Sequence, residues 1–126
     1  MNASSVAGGK VSTVAKDATS YWHRDARFLW EVKAIYTEDD EMQQNVKWAY
    51  ELGEEMRPHD IGAYCNYIDP LLTNWKQEFY GGNYDELVRI KKEWDPKGHF
   101  NFQQAIGSPF EPVPGNFSPL FNTFID

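Results

Sequence analysis

Tyr64, Asn66 and Tyr67, inside the stretch Gly62-Ala63-Tyr64-Cys65-Asn66-Tyr67-Ile68-Asp69-Pro70, put two phenols and an amide close together in the chain, and a second distinctive stretch, Phe79 through Leu87, follows. Hydroxyl and amide groups at such spacing can donate and accept several hydrogen bonds, while the rings offer flat apolar faces; the combination suits one wall of a ligand pocket. Other chemistries lack their parts. His23, His59 and His99 stand at no compact ligand spacing and Cys65, the single cysteine, joins none of them, which argues against zinc. Isolated surface or capping histidines are the better account, with His23-Arg24 as a structural pair at a strand entrance. No serine sits in a nucleophile motif. Trp30, Trp48, Trp75 and Trp94 could form a sugar-stacking platform, but tryptophans at helix and strand seams more often pack a core.

At 126 residues the chain fits one domain able to bury a core, and 16% aromatic residues suit a cavity or an interface as well as that core. A net charge of −7 excludes nucleic acid as an expected partner, because duplex binding rests on cations that neutralise phosphates. One cysteine cannot staple a secreted mini-scaffold, and Cys65 reads as a buried strand residue. The first ten residues lack the apolar run of a signal peptide, and no stretch reaches the length of a membrane span, so no membrane role is expected. Asn2-Ala3-Ser4 and Asn116-Phe117-Ser118 are sequons of a pattern short enough to arise by chance.

The elements that must position the tyrosines follow from periodicity. Residues 1–19 show neither a helical nor a strand period and read as an irregular lead-in. Phe28, Trp30, Val32, Ala34 and Tyr36 alternate with polar residues, as on a half-buried strand. Thr37 offers a hydroxyl N-cap, and Met42, Val46, Ala49, Gly53 and Met56 then recur at helical spacing until Pro58 stops the helix near Arg57. Ile61 to Ile68 read as a second strand, with Tyr64 and Asn66 on one face and Cys65 and Tyr67 on the other. Leu71 to Trp75 read as a short helical turn. Asn83 with Glu86 forms a capping box for a helix with the seam Leu87, Ile90 and Trp94, braced by Asp85–Arg89 and Arg89–Glu93 and ended by Asp95-Pro96-Lys97-Gly98. The fold class expected is α+β, a small antiparallel sheet with helices on one face. Residues 20–107 form its body, and 108–126 a proline- and aromatic-rich extended tail.

Three motifs carry a resemblance. Tyr64-x-Asn66-Tyr67-x-Asp69-Pro70, then Tyr80-Gly81-x-Asn83-Tyr84-x-x-Leu87-x-x-Ile90-Lys91-x-x-Trp94-Asp95-Pro96, then Phe100-x-x-x-Gln104-Ala105-Ile106 resemble the C-terminal signature of the berberine-bridge-enzyme-like family of FAD-linked oxidases. Thr19 through Arg24 and the strand after it are similar to a late substrate-domain segment of fungal and bacterial members. Phe79, Gly82, Trp94 and Ala105 depart from the pattern, mostly conservatively.

The resemblance implies part of the substrate domain of a vanillyl-alcohol-oxidase-like flavoprotein, with FAD as cofactor of the full-length enzyme. It also implies hydride transfer from an alcohol or amine carbon to flavin, with oxygen as acceptor. It makes Tyr67 the catalytic base, and places Tyr64, Asn66, Asn101 and Gln104 near substrate or flavin. A phenol with a pKa of about 10 is ionised only about once in a thousand at pH 7, so Tyr67 needs a cation, a donor network or concerted transfer. No Gly-rich phosphate loop occurs in the sequence, so the partners implied are an FAD-binding domain or subunit and a small-molecule substrate, with no flavin on the chain alone. An apolar patch is expected where that domain docks. Full-length members are often secreted, which leaves localisation open. The alternative is a non-catalytic, aromatic-rich ligand-binding or interaction module built on the same elements.

Overall fold

The computed structural model describes residues 2–109. They run as β1 (Asn2–Val6), β2 (Phe28–Glu31), α1 (Asp39–Met56), α2 (Trp75–Tyr80) and α3 (Tyr84–Trp94), with single 3-10 turns at Val11–Thr13, Arg57–His59 and Gly81–Asn83. β1 and β2 pair antiparallel, Ala3 opposite Trp30 and Val6 opposite Phe28, with an irregularity between Ala3 and Ser5. The lead-in expected to be irregular thus contains a strand. Its Asn-Ala-Ser-Ser composition carries no strand signal, and the backbone groups of β2 supply the pairing instead. β2 is shorter than the alternation implied, because its ladder ends where Glu31 meets Asn2. Trp30 is fixed from the other side: its Nε1 donates to Asp60 Oδ1 at 2.7 Å, tying the ribbon to the turn after α1.

α1 has the bounds its pattern dictates. Met42, Val46, Ala49, Gly53 and Met56 are half-buried while Gln43, Lys47, Glu51 and Glu54 are exposed, and the chain tightens into a 3-10 turn at Pro58. The residue at the N-cap is Glu38, without a side-chain cap, where Thr37 was expected.

The largest departure is at 61–68, where there is no strand. Gly62 has φ +143°, in the range open to glycine. Ala63 N–H donates to Glu78 O at 2.8 Å and Tyr67 N–H to Tyr64 O at 2.9 Å. The backbone donors are spent on α2 and on a turn, so no ladder forms. The expected sheet therefore lacks its second strand, and among the described residues the ribbon of β1 and β2 is the sheet structure present. Asp69 then closes a further turn, its Oδ1 accepting Leu71 N–H at 2.9 Å, and the helix expected at Leu71–Trp75 begins at Trp75 and runs to Tyr80.

The core lies between this turn and the two short helices rather than against the ribbon. Leu72, Trp75 and Phe79 are buried, with Ala63, Cys65, Tyr80 and Tyr84 packed on them. Trp75, fully enclosed, meets Tyr84 edge-on at 5.7 Å. Each such side chain stabilises by about 1.5–3 kcal/mol through burial.

α3 keeps its expected bounds, but Asn83 makes no cap bond. Its amide instead donates to Lys16 O at 2.8 Å and Thr19 O at 2.9 Å, holding the lead-in against the helix start. Of the expected seam, Leu87 is half-buried, whereas Ile90 is 39% and Trp94 80% exposed. Arg89 pairs with Glu86 at 2.7 Å and Glu93 at 3.3 Å, not with Asp85. Asp95 ends the helix: its carboxylate takes Lys91 Nζ and the backbone N–H of His99 (2.8 Å) and Phe100 (3.0 Å). The tail from Phe110 onward, with the Asn116 sequon, lies outside the described residues.

Candidate functional site

The turn at 64–67 brings together side chains that a strand would have sent to opposite faces. Asn66 Nδ2 donates to Tyr64 Oη at 2.8 Å, and the rings of Tyr64 and Tyr67 meet edge-on with centroids 5.3 Å apart. Tyr21 meets Tyr64 edge-on from the other side at 6.5 Å and carries the Arg24 guanidinium over its ring at 5.0 Å. An aromatic row, Tyr21–Tyr64–Tyr67, is thereby assembled from two segments far apart in sequence.

Beside this row is a hollow of about 280 Å³. One side is the segment Ala63 to Asn66; the other is Ser20, Tyr21 and His23, with Phe79 and Tyr80 at its base. Tyr64 and Asn66, two of the expected site residues, border it. Tyr67 does not line it; it stacks against Tyr64 and is 46% exposed. Asn101 is exposed after α3 and stands outside the hollow. Gln104 is buried, and its Nε2 donates to Asp69 O at 2.7 Å, so it grips the end of the tyrosine segment instead of facing the hollow. His23 is also buried, not a surface histidine. Cys65 is half-buried in the turn rather than on a strand. Ser20, Tyr21, His23, Phe79 and Tyr80 lie in stretches the family resemblance covers but were given no site role, since only the folded chain brings them to Tyr64.

The electrostatics divide the hollow from its rim. Burial, with Cys65 and Tyr84 adding to it, pushes the Tyr80 phenol up to about 12, and burial raises the Cys65 thiol as well. Both stay neutral at ordinary pH and present hydrogen-bonding groups rather than charge. Outside the hollow, Lys33 pairs with Glu31 at 3.0 Å, and that hydrogen bond raises its pKa.

Residues 63–107 match the family described as berberine and berberine like. The FAD-linked oxidoreductase YgaK of Bacillus subtilis (strain 168) is 35% identical over 99 residues, 79% of this chain and 22% of the relative. The hexose oxidase of Chondrus crispus is 32% identical over 123 residues, again 79% of this chain and 22% of the relative. A glycopeptide hexose oxidase, crystallised in complex with teicoplanin, has the same fold over 79% of this chain and 24% of its own, with a TM-score of 0.66 and 26% identity. The chain therefore spans less than a quarter of the length of the proteins it matches.

YgaK is an FAD-linked oxidoreductase, and the residues around the hollow fit part of such a cofactor. The rings of Tyr21, Tyr64 and Tyr80 with the Asn66 amide can border the flat, hydrogen-bonding edge of a ring system. The diphosphate finds no counterpart there. The hollow is lined by no Lys or Arg, and the two glycines that flank it are closed. A Cβ at Gly62 would meet the His23 ring and one at Gly81 the Trp22 ring, so neither offers bare backbone to a phosphate.

Proposed function

From its membership of the berberine and berberine-like family of FAD-linked oxidoreductases, carried by residues 63–107, we propose that this chain forms one wall of the substrate pocket in such an enzyme. Tyr67 is its base. Flavin bound in the whole enzyme would supply a hydride acceptor for an alcohol or amine carbon, with oxygen as the final electron acceptor. Within this chain Tyr67, as the phenolate, takes the hydroxyl proton of an alcohol substrate at Oη and becomes the neutral phenol, while Tyr64 and Asn66 orient the substrate beside it. The β1–β2 ribbon is read as part of the antiparallel sheet of a vanillyl-alcohol-oxidase-like substrate domain, completed by strands of the flavin-carrying remainder. That remainder also covers the exposed side of Tyr67.

The observation that carries this reading is the Tyr64–Asn66–Tyr67 cluster, hydrogen-bonded and ring-packed at the edge of the hollow. A hexose oxidase among the relatives makes sugars the first substrates to try.

The test combines the chain with the flavin-carrying remainder of a relative, as a fusion or in trans. Flavin absorbance is expected on the combined protein and not on the chain alone. Tyr67→Phe is expected to lower turnover by about 10²–10⁴-fold with flavin binding intact. Turnover unchanged by Tyr67→Phe overturns the assignment.

A further inference from the structure

We propose that His23 is the positioning residue of the tyrosine turn, acting through the bare backbone of Gly62. Trp22 and His23 are consecutive, and each fills the face of a glycine where a Cβ would otherwise stand, Trp22 at Gly81 and His23 at Gly62. Only the second glycine adjoins the tyrosines. At φ +143°, Gly62 lies between the imidazole and the end of α2: a Cβ there would be 2.7 Å from His23 Nδ1 and 2.8 Å from Glu78 O. The next residue, Ala63, donates to that same Glu78 O at 2.8 Å, and the one after is Tyr64. A second path runs through the rings, since His23 meets Tyr21 edge-on at 6.1 Å and Tyr21 meets Tyr64 at 6.5 Å. His23 is 7% exposed, so it is held in place by packing on all sides. Moving it frees both the backbone before Tyr64 and the ring beside it. Trp22 packs instead on Gly81, the C-cap of α2, and on Gly82.

The functional weight of this assignment rests on the reading of Tyr67 above, but its test does not. In the full chain with labelled tyrosines, NMR reads ring-to-ring contacts directly. His23→Ala is expected to abolish the Tyr64–Tyr67 contacts while those of Trp75 with Tyr84 survive. Trp22→Ala is expected to lower stability and leave the Tyr64–Tyr67 contacts in place. Gly62→Ala is expected to shift the unfolding equilibrium about tenfold less in the His23→Ala background than in the wild type, because removing the ring relieves the clash with His23 while the approach to Glu78 O and the strain at φ +143° remain in both. Tyrosine contacts unchanged by His23→Ala, or costs that simply add, overturn the proposal. If His23→Ala does not fold, Gly62→Ala alone is read: it must disturb the Tyr21–His23 and Tyr64–Tyr67 contacts together, and intact tyrosine contacts overturn the proposal. None of these readouts needs flavin or turnover, so a failure here is distinct from a failure of the Tyr67 base.

Discussion

Replacing Asn83 by aspartate separates two roles that the sequence alone confuses. As an N-cap, Asp ranks with Asn and its charge is welcome in a helix's first turn, so Asn83→Asp would be neutral. In the structure the side chain is a tether whose Nδ2 donates to Lys16 O at 2.8 Å and Thr19 O at 2.9 Å. A carboxylate cannot donate, and it would face both carbonyl oxygens from a position only 8% exposed. Each neutral hydrogen bond is worth about 1 kcal/mol. Asn83→Ala, which removes two, is thus expected to cost about 2 kcal/mol, against about 1 kcal/mol for the loss of a cap. Asn83→Asp is expected to cost at least as much as Asn83→Ala. Urea unfolding of the three proteins gives the values, and amide exchange over residues 16–24 shows whether the lead-in is what comes loose. An Asn83→Asp protein within about 0.5 kcal/mol of the wild type refutes the tether.

Asp95 links stability to acid. Its carboxyl is held well below the ordinary aspartate range, first by the Lys91 hydrogen bond and then by the N–H groups of Phe100 and His99. A depressed folded pKa gives stability that is present above the unfolded value of about 3.9 and is lost as pH falls from there towards the folded value. Acid titration should release the 95–100 turn in that window, and Asp95→Asn should flatten the response; an identical acid limb in the variant counts against the latch. Trp75→Ala should cost about 3–5 kcal/mol in denaturant unfolding. Trp75→Phe should cost much less, since the indole N–H it removes is buried without a hydrogen-bond partner; equal costs would show that the N–H is satisfied. Tyr80 should ionise at about 12 in an ultraviolet pH titration, and ionisation near 10 would mean that its burial between Cys65 and Tyr84 is absent.

The helices with long, regular patterns were legible because their signals are local. α1 follows from the spacing of Met42, Val46, Ala49, Gly53 and Met56 with Pro58 beyond it, and α3 from the run between Asn83 and Asp95. The family motif was equally local. What escaped depended on partners elsewhere in the chain. β1 is a strand only because β2 pairs with it. Ile61 to Ile68 have strand composition, yet the hydrogen bonds of Ala63 and Tyr67 go to Glu78 and Tyr64, so the chain turns. Asn83 and Glu86 have capping-box spacing, but the Asn83 amide is taken by carbonyls more than sixty residues earlier. Trp94 completes a seam by spacing and stands exposed, because nothing among the described residues covers that end of α3.

Tyr64, Asn66 and Tyr67 drew attention as polar and aromatic groups in one stretch, but the residues that give them a geometry lie outside it. His23 presses on Gly62 at one end of the segment, and Gln104 holds the carbonyl of Asp69 at the other. Both are buried, at 7% and 3% exposure, whereas Tyr67 between them is 46% exposed. A buried side chain that fixes backbone loses little further freedom when a pocket closes, so its ordering cost is already met in this chain. The exposed phenol is then set by two anchored ends, and in the proposed enzyme a covering surface would have to bring a cation or donor with it, because desolvation alone disfavours the phenolate. If Tyr67 is the base proposed above, loosening either anchor should degrade its alignment without altering its chemistry, whereas Tyr67→Phe should remove the chemistry and leave both anchors standing.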